Sequence, residues 1–180
     1  VQPVLGAQII DAQHPLPPLQ SGIVYAAASM EYRGSSVLAL APIPTSITQL
    51  IRLPGKKNIR FIHIEDLVSA HMESLFRGAQ IKERFKFSIC RNAAVDMDNQ
   101  MFELEDYRVR MLQMLKKRKR MDLVKIESSR RPSLAVRRYF EKELKTADCT
   151  TILSELPLDK RSFFAVADLL EPQLKERLLY

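Results

Sequence analysis

The sequence predicts an α/β (α+β) fold, a layered domain in which a mixed β-sheet is flanked by helices. Two patterns predict it: apolar runs around a turn near the N-terminus, and alternating strand and helix patterns in the second half. The chain has 180 residues, 46% of them hydrophobic, which is enough to bury one sizeable core. We therefore expect residues 1–180 to form a single domain.

The first third of the chain is expected to contain an irregular N-terminal segment and then a hairpin. The closely spaced prolines in residues 1–21 force extended backbone and cannot lie inside a helix. The apolar runs 22–30 and 35–43 flank the turn Glu31–Gly34, a pattern typical of a β-hairpin. This hairpin is the N-terminal part of the expected mixed sheet.

Two short strands, a helix and a longer strand follow the hairpin. The short strands are expected at 50–52 and 59–64, on either side of a Pro-Gly turn. From Glu65 apolar residues recur at helical spacing until Gly78, which predicts a helix that stops there. In the longer strand, apolar and polar residues alternate between two faces: Phe85, Phe87 and Ile89 against Arg84, Lys86 and Ser88.

The second half is expected to alternate strands and helices. Acidic residues at its start and basic residues at its end favour a helix over 100–118, because they match the helix dipole. Pro132 is expected to open a helix whose inward residues include Tyr139 and Phe140. The remaining elements are a strand at Val124–Ile126, a strand at Thr151–Leu153 and a helix from about Asp159 to Leu170.

Positive charge is concentrated in one segment. Ten Lys and Arg but only two acidic residues lie between Lys116 and Arg138, so this segment carries +8 while the whole chain carries +7. Such a field attracts polyanions, and the alternative is a solvated helix end that suits the dipole. The candidate polyanion contacts are Lys116, Lys117, Arg118, Lys119, Arg120, Arg130 and Arg131, with Arg137 and Arg138 nearby.

No pattern in the sequence identifies a catalytic, cofactor-binding or metal-binding residue. The five glycines are dispersed and form no phosphate-binding loop. The histidines His14, His63 and His71 have no partner at ligand spacing and are interpreted as structural. Cys90 and Cys149 form no CxxC motif and are expected to be buried, reduced thiols.

Composition also bears on partners and location. The aromatic residues fall at core positions, so we do not expect base stacking or a nucleic-acid partner. No apolar stretch approaches the roughly 18 residues of a membrane span, and no secretory signal opens the chain, so a soluble domain is expected. Because residue 1 is Val rather than Met, we expect the chain to begin inside a larger gene product.

Several motifs are similar to those of the polyphosphate kinase middle domain. FSICRNAAVDMD at 87–98 resembles the family pattern F-x-x-T-R-N-A-D-[LIV]-x-x-D, with Phe87, Arg91, Asn92 and Ala93 in register. Four further segments match in order: His14-Pro15-Leu16-Pro17, then Glu65-Asp66-Leu67-Val68 with His71 and Leu75-Phe76-Arg77-Gly78, then Lys117-Arg118 before Val124-Lys125-Ile126-Glu127, and finally Pro157-Leu158-Asp159. The sequence departs from the family pattern at Cys90, Ala94 and Lys160, which indicates a divergent member.

The resemblance implies an enzyme in the parent protein and a supporting role for this domain. The family transfers the terminal phosphate of ATP to inorganic polyphosphate with Mg²⁺, through a phosphohistidine in two following phospholipase-D-like domains. We expect this chain to stop before those domains, so no catalytic residue is carried over and the isolated fragment is expected to be inactive. Its implied partners are the other domains of the polypeptide, further subunits of a homo-oligomer, and polyphosphate.

The resemblance further implies a cytoplasmic protein, with peripheral membrane association of the parent as an additional expectation. Two rivals to a scaffold domain remain open from the residues alone. One is an autonomous anion- or RNA-binding α/β module, motivated by the basic segment, and the other is a small independent enzyme.

Overall fold

A computed structural model describes residues 6–11, 14–55, 60–92, 122–146, 149–167 and 177. The strands in these ranges are β1 (Gln8–Ile10), β2 (Val24–Tyr32), β3 (Ser35–Pro42), β4 (Leu50–Leu53), β5 (Arg60–His63), β6 (Gln80–Arg91), β7 (Leu123–Ser128) and β8 (Thr150–Leu153). The helices are α1 (Ile64–Ala70), α2 (Met72–Leu75), α3 (Leu134–Leu144) and α4 (Ser162–Ala167).

Six strands form one mixed sheet in the order β1-β3-β2-β6-β7-β8. Neighbouring strands are antiparallel except β7 and β8, which are parallel and connected through α3. Strands β4 and β5 pair separately as a two-stranded antiparallel sheet. The expected mixed sheet flanked by helices is therefore confirmed.

The predicted hairpin is formed by β2 and β3. Tyr32 pairs with Ser35, so the connection is the two-residue loop Arg33-Gly34, shorter than the turn expected from Glu31 onward. Arg33 and Gly34 have φ angles of 50° and 78°. Positive φ at both positions matches the twist of the flanking strands, and Gly34 adopts it without steric cost.

Both faces of the sheet are buried, and they differ in composition. The face under α3, here called the aromatic face, includes Tyr25, Phe85, Phe87 and Ile126 from the strands and Val136 and Phe140 from the helix. The opposite face, here called the alanine face, carries Ala26, Ala28, Met30, Ala39 and Ala41 beneath Ile64, Val68 and Met72 of α1 and α2. Small side chains on the alanine face let these helices approach the sheet closely.

The aromatic face confirms the alternation predicted for β6. Phe87 is fully buried, and its ring centroid lies 5.5 Å from that of Tyr25 and 5.0 Å from that of Phe140. The Ser133 hydroxyl caps the start of α3 by accepting a hydrogen bond from the N–H of Val136. Pro132 therefore lies just before the cap, and the helix begins two residues later than expected.

The prediction that residues 1–21 are irregular is wrong for β1. Gln8 pairs with Leu40 and Ile10 with Leu38, and the Ile10 side chain is buried in the core. Three residues give almost no local strand signal. Their backbone hydrogen bonds come from β3, which is distant in the sequence.

The single helix expected between Glu65 and Gly78 is divided at His71. The His71 N–H donates to the carbonyls of Leu67 and Val68, which tightens the last turn of α1. The Ala70 carbonyl accepts a hydrogen bond from Arg84 Nη1 at 2.9 Å. This long-range contact satisfies a carbonyl at the break, and Gly78, with φ of 80°, ends the region as predicted.

The start of α4 and the exposure of Cys90 differ from the predictions, and one predicted helix falls on residues that the structure does not describe. Helix α4 begins at Ser162 rather than near Asp159, because the Asp159 carbonyl accepts hydrogen bonds from the Ser162 N–H and hydroxyl. Cys90 is an exposed thiol, not a buried one, while Cys149 is partly buried. The helix predicted over 100–118 lies outside the described residues.

No helix in the described ranges is both long and apolar enough to cross a membrane.

Candidate functional site

The basic segment is only partly within the described residues. Lys116, Lys117, Arg118, Lys119 and Arg120 lie outside them, so the structure does not place the main run of charge. Arg130 and Arg131 follow β7 and are exposed. Arg130 Nη1 donates to the carbonyl of Arg84 at 3.0 Å, so part of its guanidinium is used within the domain.

Two of the motif segments, Glu65–Val68 and Pro157–Asp159, meet at one buried carboxylate, that of Glu65. This side chain is 1% exposed. It accepts hydrogen bonds from Lys86 Nζ at 2.8 Å and from the backbone N–H groups of Leu158 and Asp159 at 3.1 and 3.0 Å. Glu65 thus ties α1 to β6 and to the segment that leads into α4.

Lys86 supplies the positive charge of this cluster from the polar positions of β6. Its ammonium group contacts the carboxylates of both Glu65 and Asp66. Burial disfavours the charged form of Lys86, but the two carboxylates outweigh it and raise the pKa of Lys86. At Lys86 the polar side of β6 is therefore shielded from solvent, because this lysine is paired beneath α1.

The Asp159 carboxylate forms a second set of charged contacts, next to those of Glu65. Its carboxylate accepts hydrogen bonds from the backbone N–H of Arg161 at 3.1 Å and from Arg161 Nε at 2.8 Å, and it also contacts Nη2. The Arg161 guanidinium holds the pKa of the Asp159 carboxyl below its ordinary value, against a smaller opposing effect of burial. This fork-shaped contact fixes the turn that precedes α4.

Glu127 of β7 forms ion pairs with two lysines. Lys125 Nζ lies 3.0 Å and Lys160 Nζ 3.2 Å from its carboxylate oxygens. Burial opposes ionisation, but these two cations outweigh it and lower the pKa of Glu127. Lys160, a departure from the family pattern, therefore has a partner within the domain.

The Arg-Asn motif at the end of β6 is also held by backbone contacts. The Arg91 N–H donates to the Ser21 hydroxyl at 3.2 Å, and the Asn92 N–H donates to the carbonyl of Asp122 at 2.9 Å. The Gly22 N–H donates to the Ile89 carbonyl. These bonds join β6 to the N-terminal segment and to the start of β7, while Ala93 and Ala94 lie outside the described residues.

This arrangement ties structural elements together and leaves no carboxylate of the cluster without a partner. Within the described ranges, no group of three or more His, Cys, Asp or Glu side chains converges to hold a metal ion. His14 Nδ1 lies 2.9 Å from the Asp11 carboxylate in an exposed turn, and His63 and His71 lie in β5 and at the helix break. The carboxylates of Glu65 and Glu127 therefore connect neighbouring elements of the domain, and that of Asp159 fixes the turn before α4.

The sequence identifies Glu65 and Asp159 only as parts of motifs and predicts Lys86 on a polar face of β6. The contacts between them are visible only in the folded chain. A charged residue in a strand between two layers, with acidic residues at the start of a neighbouring helix, is the signal that predicts such pairing.

A solved structure supports the fold. The crystal structure of polyphosphate kinase from Porphyromonas gingivalis superposes on this chain with a TM-score of 0.63 at 17% identity. The likeness covers 94% of this chain and 23% of that chain. The fold is therefore that of a mixed α/β domain found within a larger protein.

The sequence comparisons define the family. Residues 1–166 match the model of the polyphosphate kinase middle domain, so the chain belongs to this family. The polyphosphate kinase of Streptomyces coelicolor is 26% identical over 180 residues, covering 96% of this chain, and that of Staphylococcus epidermidis is 27% identical over 176 residues, covering 97%. The resemblance inferred from the motifs is confirmed.

The chain spans only about a quarter of the length of these two relatives, 23% and 24% respectively.

Proposed function

We propose that this chain is the non-catalytic middle domain of an enzyme that transfers the terminal phosphate of ATP to inorganic polyphosphate. Its role in that enzyme is to hold the other domains and subunits in place. Family membership and the use of the Glu65, Glu127 and Asp159 carboxylates as internal ties support this role. ATP is a substrate of the parent enzyme, and Mg²⁺ is its cofactor.

Exposed apolar surface near α4 is the observation that carries the assembly role. Large apolar side chains are exposed on β8, on the following segment and on α4, and Phe164 is 76% exposed. Aromatic residues such as Phe163 and Phe164 are enriched at protein–protein interfaces. The residues are Ile152, Leu153, Leu156, Phe163, Phe164 and Val166.

The assembly role is tested in the complete enzyme that contains this chain. Phe164→Asp should weaken subunit association, measured by analytical ultracentrifugation. It should also lower the rate of ATP-dependent polyphosphate synthesis by tenfold or more. Leu134→Asp is the matched control, because Leu134 is 52% exposed at the start of α3, in another part of the surface. If Phe164→Asp assembled and reacted like the wild type, the assembly role would be excluded.

The absence of chemistry in this domain has its own test. The purified 180-residue chain, supplied with ATP, Mg²⁺ and polyphosphate, should form no ADP above the background rate. If an ATP-hydrolysing or phosphate-transferring activity copurified with the chain, the result would instead favour a small independent enzyme.

We further propose that the basic segment guides polyphosphate toward the catalytic domains. The proposal rests on the +8 charge between Lys116 and Arg138, and its contribution must weaken with salt. Reversing the charge at Lys117, Arg118, Arg130 and Arg131 in the complete enzyme should reduce the salt sensitivity of synthesis and its dependence on chain length. An unchanged salt dependence would contradict guidance.

A further inference from the structure

A cavity of about 380 Å³ lies between α3 and the β7–β8 side of the sheet. Phe140 packs over Phe85 and Phe87, with ring centroids 6.2 and 5.0 Å apart, so α3 is anchored above β6. The side chains of the four-residue edge strand β8 remain exposed. The space between the anchored helix and the edge strand is the cavity.

The cavity has an apolar floor and a cationic side. Phe85, Phe87, Ile126 and Phe140 form the floor, and the polar lining consists of Arg131, Arg137 and Glu141 with the hydroxyl-bearing residues Ser128, Thr146 and Thr151. Its volume falls within the range of small-molecule sites, which combine mostly apolar walls with a few polar groups. Of the charged residues lining it in the described ranges, two are basic and one, Glu141, is acidic.

Arg137 is the feature that points to a ligand. Its Nε atom is buried and has no hydrogen-bond partner among the described residues, although Arg137 lines the cavity. A buried donor on a charged group is costly when it lacks an acceptor. An oxyanion in the cavity would supply that acceptor, and guanidinium groups bind carboxylate and phosphate with directed pairs of hydrogen bonds.

We propose that this cavity binds a small amphipathic anion, with its acidic head on Arg137 and Arg131 and its aromatic or short aliphatic body between Phe140 and Leu153. The apolar floor favours such a ligand over a long polyanion, which has no apolar body to bury. The limited volume also restricts the ligand to a compact molecule. One lining residue, Leu153, also belongs to the proposed assembly surface, and another, Arg131, is one of the candidate polyanion contacts.

Four probes separate the head from the body of the ligand. Phenyl phosphate and benzoate share a ring but carry different anionic heads, inorganic phosphate has the head alone, and phenol has the ring alone. Binding to the complete 180-residue chain is followed by ligand-observed NMR and calorimetry. We expect saturable binding of at least one ring-bearing anion, with phosphate and phenol each binding at least tenfold more weakly.

Matched arginine variants locate the site. Arg137→Gln should weaken binding tenfold or more, whereas Arg138→Gln should leave it within twofold, because Arg138 is exposed on the same helix and does not line the cavity. Circular dichroism checks that each variant is folded. If Arg137→Gln did not fold, Arg131→Gln, at an exposed position, would serve in its place with the same expected direction.

Three results would overturn the proposal. The first is no saturable binding of either ring-bearing anion. The second is equal affinity of the wild type and the folded Arg137→Gln or Arg131→Gln variant. The third is inorganic phosphate binding as tightly as phenyl phosphate, because the apolar floor would then contribute nothing.

Discussion

The two faces of the sheet are buried to a similar extent but are stabilised differently. The aromatic face is held by ring contacts centred on Phe87. The alanine face combines small side chains with a charged cluster in which Glu65 is 1% exposed and Lys86 is its partner. Burial alone therefore does not tell how a face is stabilised, because one depends on apolar area and the other on paired charges.

The largest expected effect is the loss of the central ring of the aromatic face. Phe87→Ala should lower the free energy of unfolding by about 4 kcal/mol, because it removes a fully buried ring and leaves a cavity. Urea denaturation of the chain measures it. Phe164→Ala, at an exposed site, should cost about 0.5 kcal/mol or less, and equal losses at the two positions would contradict the assignment of the core.

The alanine face is tested at its buried carboxylate. Glu65→Gln should lower the free energy of unfolding by about 3 kcal/mol, because Lys86 loses its buried negative partner and one of the two backbone N–H donors faces an amide NH2 group instead of an acceptor. Asp66→Asn is the control, since Asp66 also contacts Lys86 but is about half exposed. That change should cost about 1 kcal/mol or less, and a Glu65→Gln variant as stable as the wild type would show that charge does not stabilise this face.

The sequence predicted one of these faces better than the other. Strict alternation around Phe85 and Phe87 identified the aromatic face, because the signal is contained in the strand itself. The role of Lys86 on the alanine face was missed, since its partners come from α1 and lie about twenty positions away in the chain. For the same reason the helix break at His71, which involves Arg84, was not predicted.

The helix over the aromatic face has a capping contact that should matter less than its ring packing. Ser133→Ala should lower the free energy of unfolding by about 1 kcal/mol, because Val136 loses its cap acceptor and Glu83 loses a hydroxyl partner. Thermal denaturation followed by circular dichroism measures the change. Ser36→Ala, at an exposed position of β3, is the control, and a cost equal to that of Phe87→Ala would contradict this order.

The smallest expected effect is pH dependence, and it should belong to the charged ties on the side of the alanine face. The pKa values of Asp159 and Glu127 lie below their ordinary values of 3.8 and 4.5 in the folded chain. The unfolded state therefore binds protons more readily, so this stabilisation is present above those values and is lost as the pH falls through the lowered values. The free energy of unfolding should therefore decrease as the pH is lowered from 6 to 3.

A variant isolates one part of that decline. Glu127→Gln removes one titrating group and should make the acid-side slope shallower, while Glu143→Gln, at an exposed position of α3, should leave the slope unchanged. If Glu127→Gln did not change the pH dependence of the free energy of unfolding, other carboxylates would be responsible for the acid sensitivity.

The candidate site could be predicted only in part. Motif order placed Glu65, Glu127 and Asp159 in the same family pattern, but their contacts depend on the folded arrangement of α1, β7 and the segment before α4. The cavity beside Arg137 was not predicted at all, because it arises where a short edge strand leaves part of the sheet uncovered. Cys90 was expected to be buried, yet its position near the end of β6 exposes it.

The parallel pairing of β8 with β7 has a consequence for motion. Antiparallel neighbours β2 and β3 close through a two-residue loop, whereas β8 can pair only after α3 has crossed back over the sheet. As a four-residue edge strand, β8 belongs to the part of the domain whose backbone amides should exchange with solvent through local opening, while β2 and β6 exchange only through global unfolding. A neighbouring domain bound at this edge would then be detected first as slower hydrogen exchange in β8.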